Sequence, residues 1–500
     1  MSQIRKSSLK ATWWIYLGFL VGALNVYLLT HNGWFTPEQY GLTTSLREIS
    51  LLICAFSTFG VTSYLVKFFP YYQDHTLPRD NDALALALKV AMGGFVITSL
   101  VFYLMQPLII RKFNTNSKML VEYFYYTLPM AFTILLFNIL ESYSYAFQKG
   151  VLTSFLKECA LRVFTLAVIV LKVLNIISFE TFVFLFILQY GFIVLLLVFI
   201  LYKKGELWLS FKKSRVTHKF RKKIFSIMLL SSFVVIVSVL RSVIDTLVLA
   251  SKLDLAKAGI FAFSIYLVSL LQAPYRSIIA ITIPVLSRAW KDKDHHQISK
   301  IYKRSSINLL SFALFTFFCI WLNYEDAIRF FNINPEYLEG KWVFFIIGMV
   351  TIIEMGTGVN SQIIGTSVYW RFELWTSVLL TALIIPLSYI LTVKYGIIGP
   401  ALANLVSFTI YNAIRYWFLW KKFRLQPFSI KTLEIIIYSF IGYIITYYIF
   451  NNIFGLSGLI GRTLFFIIFF IIIIYSRNIS PDVRPILTAL NKRIKKIIDK

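Results

Sequence analysis

Charge is scarce in this sequence. Asp, Glu, Lys and Arg together make only 15% of its 500 residues. A soluble chain of this length normally divides into several domains with about a quarter of their residues charged. The scarcity, with 58% hydrophobic residues and a mean hydropathy of +0.72, excludes a string of water-soluble domains. Cysteine is almost missing. Cys54, Cys159 and Cys319 stand singly in apolar stretches, which leaves no disulfide framework and no thiolate metal spacing. Histidine is rare as well. His31, His75, His218, His295 and His296 all fall in connections, in no ligand or catalytic-triad spacing. No metal or cofactor is therefore expected.

What is present is a succession of apolar runs, each near the roughly 20 residues that cross a bilayer. Fourteen spans are predicted, at 12–30, 43–66, 86–110, 119–145, 151–174, 179–202, 224–250, 258–283, 302–322, 341–366, 368–392, 397–420, 430–450 and 457–476. The fold class is thus an all-α membrane protein with short connections. The first run follows Arg5, Lys6 and Lys10 but lacks a small-residue cleavage site, so it is read as a retained helix.

Acid is scarcer than base: 23 Asp and Glu against 50 Lys and Arg give a net charge of +27. In a soluble protein that balance would suggest nucleic acid. Here the cations sit in particular loops, and no nucleic-acid motif is present. Nine Lys and Arg fall within 203–223, and none within 31–42. The loops at 288–304 and 421–431 are basic too, whereas 323–340 carries Glu325, Asp326, Glu336 and Glu339. By the positive-inside rule, both termini are cytoplasmic. Arg111, Lys112 and Lys118 are the exception, on a loop assigned outside. The tail 481–500 reads as a basic amphipathic helix on the cytoplasmic leaflet.

Two anchors recur at a common offset. Phe113-Asn114-Thr115-Asn116 matches Phe331-Asn332-Ile333-Asn334, and Tyr40-Gly41-Leu42 matches Ala258-Gly259-Ile260, each 218 residues on. Gly150 and Glu158 match Gly365 and Glu373 at 215. Spans 1–6 then repeat as 7–12 in the same orientation, giving two six-helix lobes and two additional helices. The expected divisions are 1–210, 211–425, 426–480 and the tail. Thr36-Pro37-Glu38-Gln39 has the pattern of a capping box ahead of span 2.

Ionisable groups inside spans are costly and mark polar pathways or buried pairs. The stretch 223–284 stands out, with Arg241 and Asp245 four apart in one span and Arg276 in the next. Arg47 and Glu48 lie in span 2, Glu354 in span 10, and Glu158 and Arg162 in span 5. In a two-lobed bundle, spans 1, 2, 7 and 8 would line the central interface. Arg241, Arg276 and Arg47 are the candidate substrate-binding residues, because guanidinium groups hold phosphate oxygens bidentately. Asp245, Glu354 and Glu48 are the candidates for charge balance or for a coupling H⁺ or Na⁺. Tyr123–Tyr126 and the aromatics at 143–147 suit either interfacial belts or stacking on sugar rings.

Leu24-Asn25 followed by Phe35-Thr36-Pro37-Glu38-Gln39-Tyr40-Gly41, Lys67-Phe68-Phe69-Pro70, and Tyr395-Gly396-Ile397-Ile398-Gly399-Pro400-Ala401 carry a resemblance. With the span plan, the chain resembles bacterial polysaccharide (oligosaccharide) flippases, the Wzx-like branch of the multidrug/oligosaccharidyl-lipid/polysaccharide exporter superfamily. The resemblance implies a V-shaped bundle in the bacterial inner membrane. It implies translocation of undecaprenyl-pyrophosphate-linked oligosaccharide for lipopolysaccharide, capsule or exopolysaccharide synthesis, beside polymerase machinery. Related flippases of peptidoglycan precursors carry cavity arginines on spans 1, 2 and 8. Arg47 and Arg276 fall on matching spans, while span 1 here has none. Two other readings stay open: a cation-coupled multidrug exporter of the same fold, and a membrane glycan polymerase or ligase.

Overall fold

The chain is described from a computed structural model that covers residues 2–479 and 482. The expected amphipathic tail therefore falls, Asp482 apart, outside the described residues. Among those residues every regular element is a helix. Two compact units divide between Gly259 and Ile260. The first contains α1 (Ser2–Thr30), α2 (Pro37–Thr58), α3 (Val61–His75), α4 (Ala83–Leu104), α5 (Gln106–Phe113), α6 (Lys118–Glu122), α7 (Thr127–Ala146), α8 (Gly150–Phe155), α9 (Leu161–Val173), α10 (Phe179–Lys203) and α11 (Arg215–Lys252). α12 (Leu255–Ser269) begins in it. The second holds α13 (Ala273–Lys291), α14 (His295–Phe330), α15 (Lys341–Gly356), α16 (Asn360–Thr366), α17 (Trp370–Tyr395), α18 (Gly399–Phe423), α19 (Ile430–Ile449) and α20 (Gly455–Ser476).

Among the described residues, nine helical stretches are long and apolar enough to cross a membrane, and eleven if each of two bent pairs is one span. The bends are 47° between α2 and α3 and 48° between α15 and α16. One of the nine, Trp370–Phe423, is 54 residues long. At 1.5 Å per residue that is about 80 Å, far more than one crossing of a ~30 Å core. It is a hairpin. Gly396 turns the chain with φ 62°, and Gly399 lies against the backbone of Leu391 and Thr392. The protein is a multi-pass membrane protein.

In the first unit α2 packs against α4, α7 and α11. Its start is the expected capping box: Gln39 N donates to Thr36 Oγ1 at 3.2 Å, and Thr36 N donates to Gln39 Oε1 at 3.1 Å. Pro37 occupies the first helical position, where no amide partner is needed. α1 crosses α8 and α9 through small residues. A side chain at Gly18 would collide with the Glu158 carbonyl, Gly22 meets Arg162, and Asn25 Nδ2 donates to Arg162 O at 2.9 Å. Between α8 and α9 the helix widens into one π-turn, Leu156–Ala160.

The first turn of α12 meets α2 backbone to backbone. A Cβ on Gly41 would strike the Leu255 carbonyl, and a Cβ on Gly259 would strike that of Pro37. Both pairs, Gly41 with Gly259 and Pro37 with Leu255, are separated by 218 residues. The contact is reciprocal, as a local two-fold requires.

In the second unit α14 packs against α13, α15, α19 and α20, and α18 against α15 and α17. α20 is pinned by Arg462, which pairs with Asp326 and donates through Nη1 to Leu322 O at 2.8 Å. Asn323 Nδ2 adds a bond to Thr463 Oγ1 at 3.1 Å.

Candidate functional site

The candidate residues fall into two groups, one in each unit. In the first unit, α2 contributes Arg47 and Glu48, and α11 contributes Arg241, Asp245 and Thr246. Thr246 Oγ1 donates to Glu48 Oε1 at 3.3 Å, which fastens the two helices at this level. The other Glu48 oxygen is buried without a hydrogen-bond partner. Arg47 and Asp245 both lie close enough for their charges to act on the Glu48 carboxyl. Asp245 is buried, Arg241 half-buried one turn before it, and Arg47 exposed. The structure thus brings Glu48, Arg47 and Asp245 together. A carboxylate pair beside a guanidinium can exchange a proton or hold a cation, and it keeps the arginine from standing uncompensated.

In the second unit, Arg276 is exposed in the first turn of α13, two residues after Pro274. Its neighbour Tyr275 lies within electrostatic reach of Glu354 and Arg415 and beside Gln362. Below Glu354, one turn along, a buried amide cluster ties α15, α16 and α18. Thr357 Oγ1 and Asn360 Nδ2 both donate to Asn412 Oδ1, at 3.0 and 3.1 Å. Glu354 thus lies one turn from a buried polar cluster, while Arg276 is exposed.

One buried ion pair in this unit was not expected from the sequence. Arg415 pairs with Glu373 across α17 and α18, and its guanidinium lies 3.7 Å from the centroid of the Tyr411 ring. Ser361 Oγ also donates to Glu373, at 2.8 Å. Arg415 is only 3% exposed, so it is no interfacial flank. The signal was present but ambiguous: Arg415 stands shortly before Lys421 and Lys422 and reads as the basic end of a span. Glu158 and Arg162 do form the pair expected from their spacing, at 2.9 Å.

Of the aromatics at 143–147, Tyr143 and Phe147 pack inside the first unit, whereas Tyr145 is exposed. Tyr143 is fully buried, its ring meets Phe69 and Phe147, and its hydroxyl donates to Glu206 O at 2.7 Å. This cluster fastens the segment after α10. Among the described residues, no group of three or more His, Cys, Asp or Glu is placed to hold a metal ion.

With this geometry in hand, comparison with known proteins defines the class by fold. No family model and no curated protein matches the sequence. Solved structures do match. A lipid II flippase MurJ in an inward closed conformation superposes with a TM-score of 0.71 at 16% identity, covering 94% of this chain and 99% of that one. An inward-facing multidrug resistance MATE family transporter of the MOP superfamily gives 0.59 at 14% identity, covering 82% and 96%. The Vibrio cholerae MATE transporter VcmN in its bent form gives 0.53 at 15%, covering 84% and 97%. The chain shares its helical membrane fold with these structures.

Proposed function

We propose that this protein is a flippase of the bacterial cytoplasmic membrane, of the Wzx-like kind. It moves undecaprenyl-pyrophosphate-linked oligosaccharide to the outer leaflet for surface polysaccharide synthesis. It makes fourteen crossings with both termini inside: the eleven, the second arm of the Trp370–Phe423 hairpin, α1, and the Gly150–Val173 stretch. Two six-helix lobes, 1–210 and 211–425, carry out alternating access, and 426–480 adds two helices.

The observation that carries the reading is the set of arginines inside helices of this fold. Arg241, Arg276 and Arg47 neutralise the pyrophosphate while the polyprenyl chain stays in lipid. Glu48, Asp245 and Glu354 balance the charge of the empty path or take up a coupling H⁺ or Na⁺. The extent of the match supports it: the lipid II flippase covers 94% of the chain and the MATE transporter 82%, so part of the chain has its counterpart in the flippase. Contact with polymerase machinery would follow from the product's fate.

The test is export. Arg276→Ala and Arg241→Ala should each abolish surface glycan export while the protein inserts at normal level. Reconstituted vesicles with a fluorescent lipid-linked oligosaccharide should lose translocation in parallel. Full activity of both variants overturns the site assignment. A second reading, a cation-coupled multidrug exporter, is favoured by the carboxylates Glu48 and Asp245 lying together. Resistance to cationic dyes on overexpression, without a glycan phenotype on deletion, would select it.

A further inference from the structure

The segment 203–223 follows α10 and runs into α11. Lys203, Lys204, Lys212, Lys213, Arg215, Lys219, Arg221, Lys222 and Lys223 are all exposed. The one acid in the segment, Glu206, is engaged by Lys149. Among the described residues none of the nine cations is paired with a carboxylate. Their arrangement works against the local fold. Arg215, Lys219 and Lys223 repeat at four-residue spacing, so like charges face each other along one side. Arg215 also sits in the first turn of α11, where the helix dipole is positive.

Yet the segment is held firmly. Ser210 N donates to Asn81 O at 3.2 Å. The buried carboxylate of Asp82 accepts from Ser214 N at 3.2 Å and from Thr217 Oγ1 at 2.8 Å. Thr217 Oγ1 in turn shares a hydrogen bond with Tyr72 Oη at 2.6 Å, which accepts from Tyr64 Oη at 2.9 Å. Asp82 therefore fixes the first turn of α11 in place and presents the basic side chains outward. Apolar groups stand exposed among them: Leu209 at 44%, Phe211 at 70% and Phe225 at 67%. From Arg215 to Lys223 the helix rises about 12 Å, and it then continues as an apolar, membrane-crossing stretch.

A rigid, unneutralised polycation with exposed apolar side chains, at the mouth of a membrane helix, fits one partner. We propose that 203–223 is a docking surface for the anionic phospholipid headgroups of the leaflet that α11 enters. Leu209, Phe211 and Phe225 sit at the acyl boundary, and the cations gather phosphodiesters around them. Bound lipid relieves the repulsion along α11 and fixes the depth at which the connection between the two lobes meets the membrane. The assignment of that leaflet as the cytoplasmic one rests on the topology proposed above.

The experiment measures lipid binding alone, without substrate or transport, so its outcome is independent of the flippase reading. Detergent-purified full-length protein is titrated with phosphatidylglycerol or phosphatidylcholine and followed by native mass spectrometry. The variant Lys212→Ser/Lys213→Ser/Lys219→Ser/Lys222→Ser is compared with a control of equal charge change, Lys291→Ser/Lys293→Ser/Lys300→Ser/Lys303→Ser. Thermal unfolding confirms that both are folded. The wild type should prefer phosphatidylglycerol, with binding that weakens as salt is raised. The first variant should lose at least ten-fold in phosphatidylglycerol binding with phosphatidylcholine binding unchanged, and the control less than two-fold. Equal loss in the two variants, no loss in the first, or soluble polyglutamate binding more tightly than the lipid would overturn the proposal.

Discussion

Each unit contains a glutamate–arginine pair; the two glutamates stand 215 residues apart, as the repeat requires, but the arginines do not correspond, and the two pairs are built differently. Glu158 and Arg162 lie one turn apart on a single helical stretch, with side chains 18% and 27% exposed. Glu373 and Arg415 come from the two arms of a hairpin, and the arginine side chain is only 4% exposed. The first pair forms whenever its helix forms. The second exists only when α17 and α18 are docked, so its bond energy belongs to the tertiary structure. Burial separates the arginines, at 4% against 27% exposed, while the glutamates are alike at 17% and 18%. Removing one member of a buried pair leaves an uncompensated charge, whereas a partly wet pair loses little.

The largest expected effect is therefore at Arg415. Arg415→Ala should lower stability by roughly 3 kcal/mol, because the largely buried Glu373 carboxylate keeps Ser361 as a hydrogen-bond donor but loses the guanidinium charge that compensates it. The melting temperature of the detergent-solubilised protein measures it. The double substitution Glu373→Leu/Arg415→Met should restore much of that loss, since no lone charge remains. A double variant no more stable than Arg415→Ala would show that the pair matters for something besides its charge.

Next come the two glycines where α2 meets α12. Gly41→Val and Gly259→Val each force a side chain against a carbonyl, and each should cost about 1–3 kcal/mol. Because the contact is reciprocal, the two losses should be similar. A five-fold or greater disparity in unfolding equilibrium between them would break the equivalence of the two sites. Smallest is Arg162→Ala, expected to cost about 1 kcal/mol. A drop as large as that of Arg415→Ala would erase the contrast from which these expectations start.

The same contrast explains what could be read from the sequence. Local chemistry was legible. The capping box at Thr36, the Glu158–Arg162 pair and the apolar runs all rest on neighbours in the chain. So was the all-helical membrane fold, because long apolar runs with few charges leave the chain no water-soluble core to build. Partners brought together by tertiary packing were not legible. Nothing in the sequence links Arg415 to Glu373, Arg462 to Asp326, or Asp82 to Thr217. The candidate site shows both sides. Arg47, Glu48, Arg241 and Asp245 were visible as charges in apolar runs, but the bond from Thr246 to Glu48 required the packed helices. The aromatics at 143–147 were ambiguous, because burial decides between a belt and a core and periodicity does not report it.

The π-turn Leu156–Ala160 has one more consequence. A widened turn accommodates an extra residue, so everything after it is rotated by about 100° relative to an unbroken helix. Arg162 lies just past it, and its carbonyl receives Asn25 while its side chain meets Gly22. Excising a single residue from that turn would let the helix close up while swinging the guanidinium and its carbonyl away from α1. A gene shortened by one codon there should yield an unbroken α-helix and an α1 that has lost its mooring.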